Sequence, residues 1–167
     1  MQLRQLLAFA TLSFLAMSNS CKKDDDVVPC NASADVTTIQ LPGFVASIHE
    51  PVPNVGQSNT YIVNSAAEYR ALFAGKTLPP VDFTAYTLLA GKTRTASCSY
   101  VQAQRVRQTC TGYTYTVQLA ADAGEIASNV VYYVLIARLP LSAKVELDVQ
   151  LPPVGAAEGI STLTEQK

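Results

Sequence analysis

Val130-Val131-Tyr132-Tyr133-Val134-Leu135-Ile136-Ala137-Arg138-Leu139 is apolar at every position except Arg138. Ten residues are too few to cross a bilayer as a helix, and the Val and Tyr content favours an extended strand covered on both faces. Such a strand needs apolar material above and below it, which marks it as the central strand of a layered β fold. The flanking segments have a different pattern. Lys144–Gln150 alternates, with Val145, Leu147 and Val149 inward and Lys144, Glu146, Asp148 and Gln150 outward, until Leu151-Pro152-Pro153 stops it. Tyr113–Leu119 alternates as well, with Tyr113, Tyr115, Val117 and Leu119 on one face. Both read as strands with one wet side.

Working toward the N-terminus, Tyr86–Ala90 is an apolar strand ending at Gly91. Before it lies the one strong helix signal. Ser65-Ala66-Ala67-Glu68 has the form of a capping box, in which a Ser N-cap is followed three residues later by a Glu that reaches back to its amide. Ala67, Leu72 and Phe73, with Tyr69 and Ala71, are expected to give a helix of about ten residues that ends at the C-cap Gly75. Thr60–Val63 is a short strand, and Glu50–Ser58, with Pro51, Pro53, Asn54 and Gly56, is a loop. Thr37–Ile48 is apolar and β-prone and is broken by Pro42-Gly43, which reads as a first strand, a turn and then Phe44–Ile48. The expected fold is α+β and β-rich: a mostly antiparallel sheet system, sandwich or open barrel, with one short helix near residues 65–74.

The first twenty residues are separate from this fold. Met1–Ser20 carries one charge, Arg4, and an apolar run from Leu6 to Met17, the form of a secretory signal. A small residue, Ser20, then precedes Cys21, and Lys22-Lys23-Asp24-Asp25-Asp26 follows. This arrangement resembles a bacterial lipobox, where the Cys thiol takes a diacylglycerol and becomes the new N-terminus. Ser18 stands where the familiar motif has Leu. Cys-Lys-Lys-Asp-Asp-Asp also resembles the start of Bacteroidetes surface lipoproteins, which implies an outer-membrane protein exposed at the cell surface. The expected organisation is a signal over 1–20, a lipidated Cys21 and solvated tether over 21–35, one β-rich domain over 36–153 and a frayed tail over 154–167. The acyl chains on Cys21 (diacylglycerol, palmitate) would supply about 0.8 kcal/mol per buried methylene, so several chains hold the protein at the membrane.

Net charge is −1, and −2 once Arg4 is removed, with no basic stripe, which argues against nucleic acid as a partner. Trp is absent and Tyr is abundant, which lowers the expectation of a carbohydrate site. Beyond Cys21 stand Cys30, Cys98 and Cys110, in an exported and therefore disulfide-permissive setting. No pair has CxxC spacing and His49 is the single histidine, so a zinc cluster is not expected. Three cysteines imply one disulfide and one thiol left over. Cys98–Cys110 is the short-loop choice, but it needs a reversal near Gln104, in a stretch without Gly, Pro, Asn or Asp. The better turn signal is Thr111-Gly112, which would leave the two sulfurs at opposite ends of an extended arm roughly 40 Å long at 3.3 Å per residue. Cys30 then stands as a partner for either.

Ile62–Phe73, then Pro80-Val81-Asp82-Phe83, then Tyr86–Gly91 resembles the opening of the PrcB-like domain, found in lipoproteins associated with an extracellular protease complex. There too a helix follows a strand and leads through a Val-Asp-Phe turn to an apolar strand ending in Gly. The resemblance covers about thirty residues. Thr95-Ala96-Ser97-Cys98-Ser99-Tyr100 then replaces the family's Thr-Gly-Gly-Tyr, and the family's closing Pro-containing strand is not evident. The resemblance implies a domain that binds and stabilises a protease or another secreted protein.

Other groups were weighed for chemistry. His49-Glu50 has the composition of an acid/base pair, but a lone His beside a Pro-rich loop is more often a surface residue. Gly56-Gln57-Ser58-Asn59-Thr60 lacks the second Gly of a nucleophile elbow and precedes a strand instead of a helix. Asp24-Asp25-Asp26 lacks the fixed oxygens calcium requires and reads as tether. Tyr113, Tyr115, Tyr132 and Tyr133 could line a groove or pair in a core. Arg94, Arg105 and Arg107 could form a cationic patch or protect a strand edge. The expectation is a non-enzymatic, lipid-anchored envelope protein that needs no cofactor or metal and binds another envelope or secreted protein across an open strand edge or exposed apolar patch. The alternative is a small-ligand binder with a pocket between sheet and helix near Tyr69 and Phe83.

Overall fold

The computed structural model describes residues 33–73 and 77–153. Seven strands and one helix follow in the order β1 (Ala34–Val36), β2 (Ser58–Val63), α1 (Ala66–Leu72), β3 (Tyr86–Thr95), β4 (Ser99–Thr109), β5 (Gly112–Ala121), β6 (Ser128–Ala137) and β7 (Val145–Gln150). They build two sheets, β1-β4-β5-β7 and β2-β3-β6, and neither closes into a barrel. Every pairing is antiparallel except β5 with β7, which is parallel and runs from Tyr113↔Val145 to Gln118↔Gln150.

The core has two parts, one on each face of the β2-β3-β6 sheet. Leu89, Val130, Tyr132, Val134 and Ile136 point toward the other sheet and meet Val106, Tyr115, Val117 and Leu119. Leu88, Ala90, Tyr133 and Leu135 point the opposite way, against Tyr69 of α1, its C-cap Phe73 and Ile48. The β2-β3-β6 sheet is therefore a middle layer, between the larger sheet and a cover made of α1 and the chain around residues 41–48. This explains the unbroken apolar run of β6: Val134, Leu135 and Ile136 are 0%, 4% and 0% exposed. β7 keeps one face in the core and turns the other to water, as its alternation implies, whereas on the outer face of β5 Gln118 is exposed but Thr116 is buried.

Three details differ from the sequence reading. First, β6 is not the central strand; β3 lies between β2 and β6. Among the described residues, the free flank of β6 is bridged by Ile39, whose amide donates to the Leu135 carbonyl (2.8 Å) and whose carbonyl accepts from the Leu135 amide (2.9 Å). Second, Thr37–Ile48 is not a strand. The extended pairing comes earlier, at Ala34–Val36 on β4, and the chain then crosses to the other sheet. Third, Gly91 does not end β3. It lies mid-strand opposite Tyr132, and a Cβ there would come within 2.3 Å of the tyrosine ring. The glycine lets the ring lie across the strand, where its hydroxyl shares a 2.8 Å hydrogen bond with Thr93.

α1 begins as its capping box requires. The Ser65 hydroxyl accepts from the Glu68 amide at 3.2 Å, and the Glu68 carboxylate reaches one residue further back than the motif describes, to the Asn64 amide at 2.7 Å. The helix ends at Leu72, with Phe73 as C-cap; Gly75, the expected stop, lies outside the described residues. The β4–β5 turn falls at Cys110-Thr111, and Gly112 (φ 153°) follows where a Cβ would meet the Lys144 carbonyl at 2.4 Å.

Candidate binding cleft

Sheet edges are where this fold has unpaired backbone, and the edges are not alike. β1 is three residues long and carries Asp35. Beyond β1, the edge of β4 is interrupted by a bulge between Val101 and Ala103 and carries Arg105. β7 turns Glu146 and Asp148 outward, and β6 is bridged by Ile39. Short length, bulges and charges are the usual means of keeping an edge from recruiting another strand. β2 has none of them: it runs six residues, Ser58-Asn59-Thr60-Tyr61-Ile62-Val63, without a charge or a bulge. Among the described residues no strand pairs with its outer edge.

An open cleft of about 550 Å³ lies along this edge. Thr60 to Val63 of β2 form one wall, Glu68, Ala71 and Leu72 of α1 another, and Ile48, His49 and Glu50 a third. Val63 and Ile48 are buried in its floor, while Ile62 remains 40% exposed.

The third wall is held by Lys92, which sits on β3 and is 8% exposed. Its ammonium donates to the carbonyls of Ile48 (2.7 Å) and Glu50 (2.8 Å). Two main-chain acceptors satisfy a buried cation and fasten an otherwise irregular segment to the sheet. The Tyr61 hydroxyl donates to the Glu50 carboxylate at 2.6 Å. Burial, and then that hydrogen bond, push the Tyr61 phenol up to about 12, so it stays protonated and keeps donating at neutral pH. At the other end, the Asn64 amide foremost, with the Ser65 hydroxyl and amide and the charge of Arg138, holds the Glu68 carboxyl below its usual range. Arg138 itself donates to the carbonyls of Asn64 and Phe83, both at 2.6 Å. The cleft is thus a strand edge with an apolar floor and two carboxylates on its rim.

Of the residues singled out in the sequence, His49 and Glu50 come together with this cleft. Tyr115 and Tyr132 stack edge to face (5.9 Å) in the core between the sheets, with Tyr113 packed beside them. Tyr133 faces the opposite layer, where its hydroxyl donates to the carbonyls of Leu41 and Phe44. These tyrosines pack in the two cores instead of lining one groove. Between α1 and the sheet, at Tyr69 and Phe83, the space is filled by aromatic contacts: Phe44, Tyr69, Phe73, Phe83 and Tyr133 touch in pairs at 5.3–6.3 Å. The cleft lies instead on the β2 side of the helix.

Arg105 and Arg107 share β4, Arg107 pairing with Asp35 at 3.1 Å, whereas Arg94 belongs to the other sheet and donates to the Val52 and Pro53 carbonyls. The three form no common patch. Cys98 is a free thiol, so the short-loop pairing with Cys110 is not made; the two stand at opposite ends of β4, as the Thr111-Gly112 turn requires. Cys21, Cys30 and Asp24–Asp26 lie outside the described residues. Among the described residues, no helix is long and apolar enough to cross a membrane and no group of metal-binding side chains occurs.

Sequence reasoning did not single out Lys92, Tyr61 or Glu68 as parts of a site. A Lys placed directly after the apolar stretch Leu88-Leu89-Ala90-Gly91 of one strand was the available signal for Lys92. Compared with protein-family models, characterised proteins and solved structures, the chain has no significant match.

Proposed function

We propose that this is a lipid-anchored, non-enzymatic cell-envelope protein whose folded domain captures an extended segment of another secreted or envelope protein along the edge of β2. The observation that carries this reading is the contrast among the edges: β2 alone combines six uncharged residues, an unpaired flank and an adjoining cleft. Strand addition at such an edge draws affinity from main-chain hydrogen bonds and specificity from side-chain pockets beside it. The signal followed by Cys21 and its charged tether supports anchoring at the membrane, with surface exposure at the outer membrane. The PrcB-like resemblance makes a secreted protease one partner of the right kind.

The test uses the full-length protein in its own membranes. Ile62→Lys places a charge at an exposed edge position, so the fold should be kept and strand addition blocked. Chemical cross-linking followed by mass spectrometry is expected to map a partner to residues 48–50 and 60–72, with recovery falling at least tenfold in Ile62→Lys. Partners mapping to other surfaces, or recovery unchanged by Ile62→Lys, would overturn the reading. Cys21→Ser is expected to leave the membrane fraction or to retain an uncleaved signal. A correctly processed Cys21→Ser protein that still sediments with membranes would remove the anchor.

A further inference from the structure

The occupant of the β2 edge can be specified further, resting on the reading above. Among the described residues, the lining of the cleft beside that edge holds two carboxylates and no lysine or arginine. Glu50 lies next to Tyr61, and Glu68 lies at Asn64. Tyr61 and Asn64 are three steps apart along the chain, on the order of 10 Å at 3.3 Å per residue. Each carboxylate uses part of its acceptor capacity internally, Glu50 with the Tyr61 hydroxyl and Glu68 with amides at the start of α1. An ionised carboxylate offers about four lone-pair sites, so both keep acceptors for a ligand. Among the described residues, Lys92 donates to the carbonyls of Ile48 and Glu50 and Arg138 to those of Asn64 and Phe83, although the charge of Arg138 also acts on Glu68.

We infer that the segment bound along β2 is an extended, Lys- or Arg-bearing peptide stretch with apolar residues between its cations. Its backbone pairs with β2, its apolar side chains cover Ile62 and Leu72, and its cationic side chains meet Glu50 and Glu68. Opposite charges at the rim of an interface speed encounter and select partners, and they weaken with salt.

Three synthetic hexapeptides of alternating Val and Thr test this, differing only in having two lysines, two glutamines or two glutamates at the same positions. Binding to the detergent-solubilised full-length protein is read by fluorescence anisotropy at low and high salt. The lysine peptide is expected to bind at least tenfold more tightly than the glutamine peptide, and the glutamate peptide more weakly still. The preference should shrink at high salt and disappear in Glu50→Gln combined with Glu68→Gln; a glutamine at 68 still fits the capping box, so α1 is kept. Equal binding of the lysine and glutamine peptides would overturn the charge inference and leave edge capture standing. Binding of no peptide, together with partner recovery unaffected by Ile62→Lys, would overturn edge capture itself. A concentration-dependent dimer dissolved by Ile62→Lys would make a second copy of this chain the occupant and overturn the inference.

Discussion

Gly91 shows how one residue without a side chain can organise a layer. The Tyr132 ring lies across it, fully buried, with its hydroxyl held by Thr93, so the ring has no room to swing away. Gly91→Ala is therefore expected to overpack the core between the sheets and to destabilise by roughly 1–3 kcal/mol, seen as a lower urea midpoint at unchanged slope. An unchanged midpoint would mean that the ring is free to move. Lys92, the next residue, faces the other layer and works by hydrogen bonding instead of absence. Two of its three donors are matched to carbonyls of a segment with no regular structure of its own, which is how one wall of the cleft is positioned.

Among the elements, α1 is the clearest case of local chemistry carried through to structure. The Ser65 hydroxyl takes the Glu68 amide and the Glu68 carboxylate takes the Asn64 amide, so free donors at the helix start are satisfied in turn. Ser65→Ala is expected to cost about 0.5–2 kcal/mol, measured by chemical denaturation. The Glu68 carboxyl is held below its ordinary value of 4.5, so folding favours its ionised form. A depressed folded pKa contributes stability that is present above the unfolded value and is lost as pH falls through the folded one. The stability difference between wild type and Glu68→Gln should therefore be flat above about pH 5 and should close at lower pH. A difference that persists unchanged into strong acid would assign the effect to shape instead of charge. The strand edges belong to this scale as well. β4 and β7 carry a bulge or outward charges, whereas β2 carries neither, and that difference singles out β2 for binding.

For the whole molecule the organising fact is that β2-β3-β6 is a middle layer. Removing side chains on either face of it should be costly, because each face belongs to a separate core. Leu135→Ala, facing α1, is expected to lose roughly 2–5 kcal/mol, and Val134→Ala, facing the other sheet, to destabilise as well by a smaller amount. Glu146→Ala, on the wet face of β7, should stay within about 0.5 kcal/mol. Thermal and urea unfolding of the three variants would check this, and a neutral change on either face of β6 would contradict the layering. Much of this was legible in the sequence. The unbroken apolar run of β6 implied burial on both faces, the alternation of β7 implied one wet side, and Ser65 with Glu68 located the start of the helix. Periodicity and capping depend on residues within a few positions of each other, so they survive in the linear order. The site was legible only in part: His49-Glu50 stood out, but not that it forms the wall of a cleft. The tertiary structure decided that β3 and not β6 is central, that β7 joins β5 in parallel, that Gly91 continues a strand and that Ala34–Val36 belongs to the fold. It also brought Lys92 under Ile48 and Glu50, residues 44 and 42 positions away. Such pairings depend on which surfaces meet after the chain has collapsed, and no local pattern records a contact made across that distance.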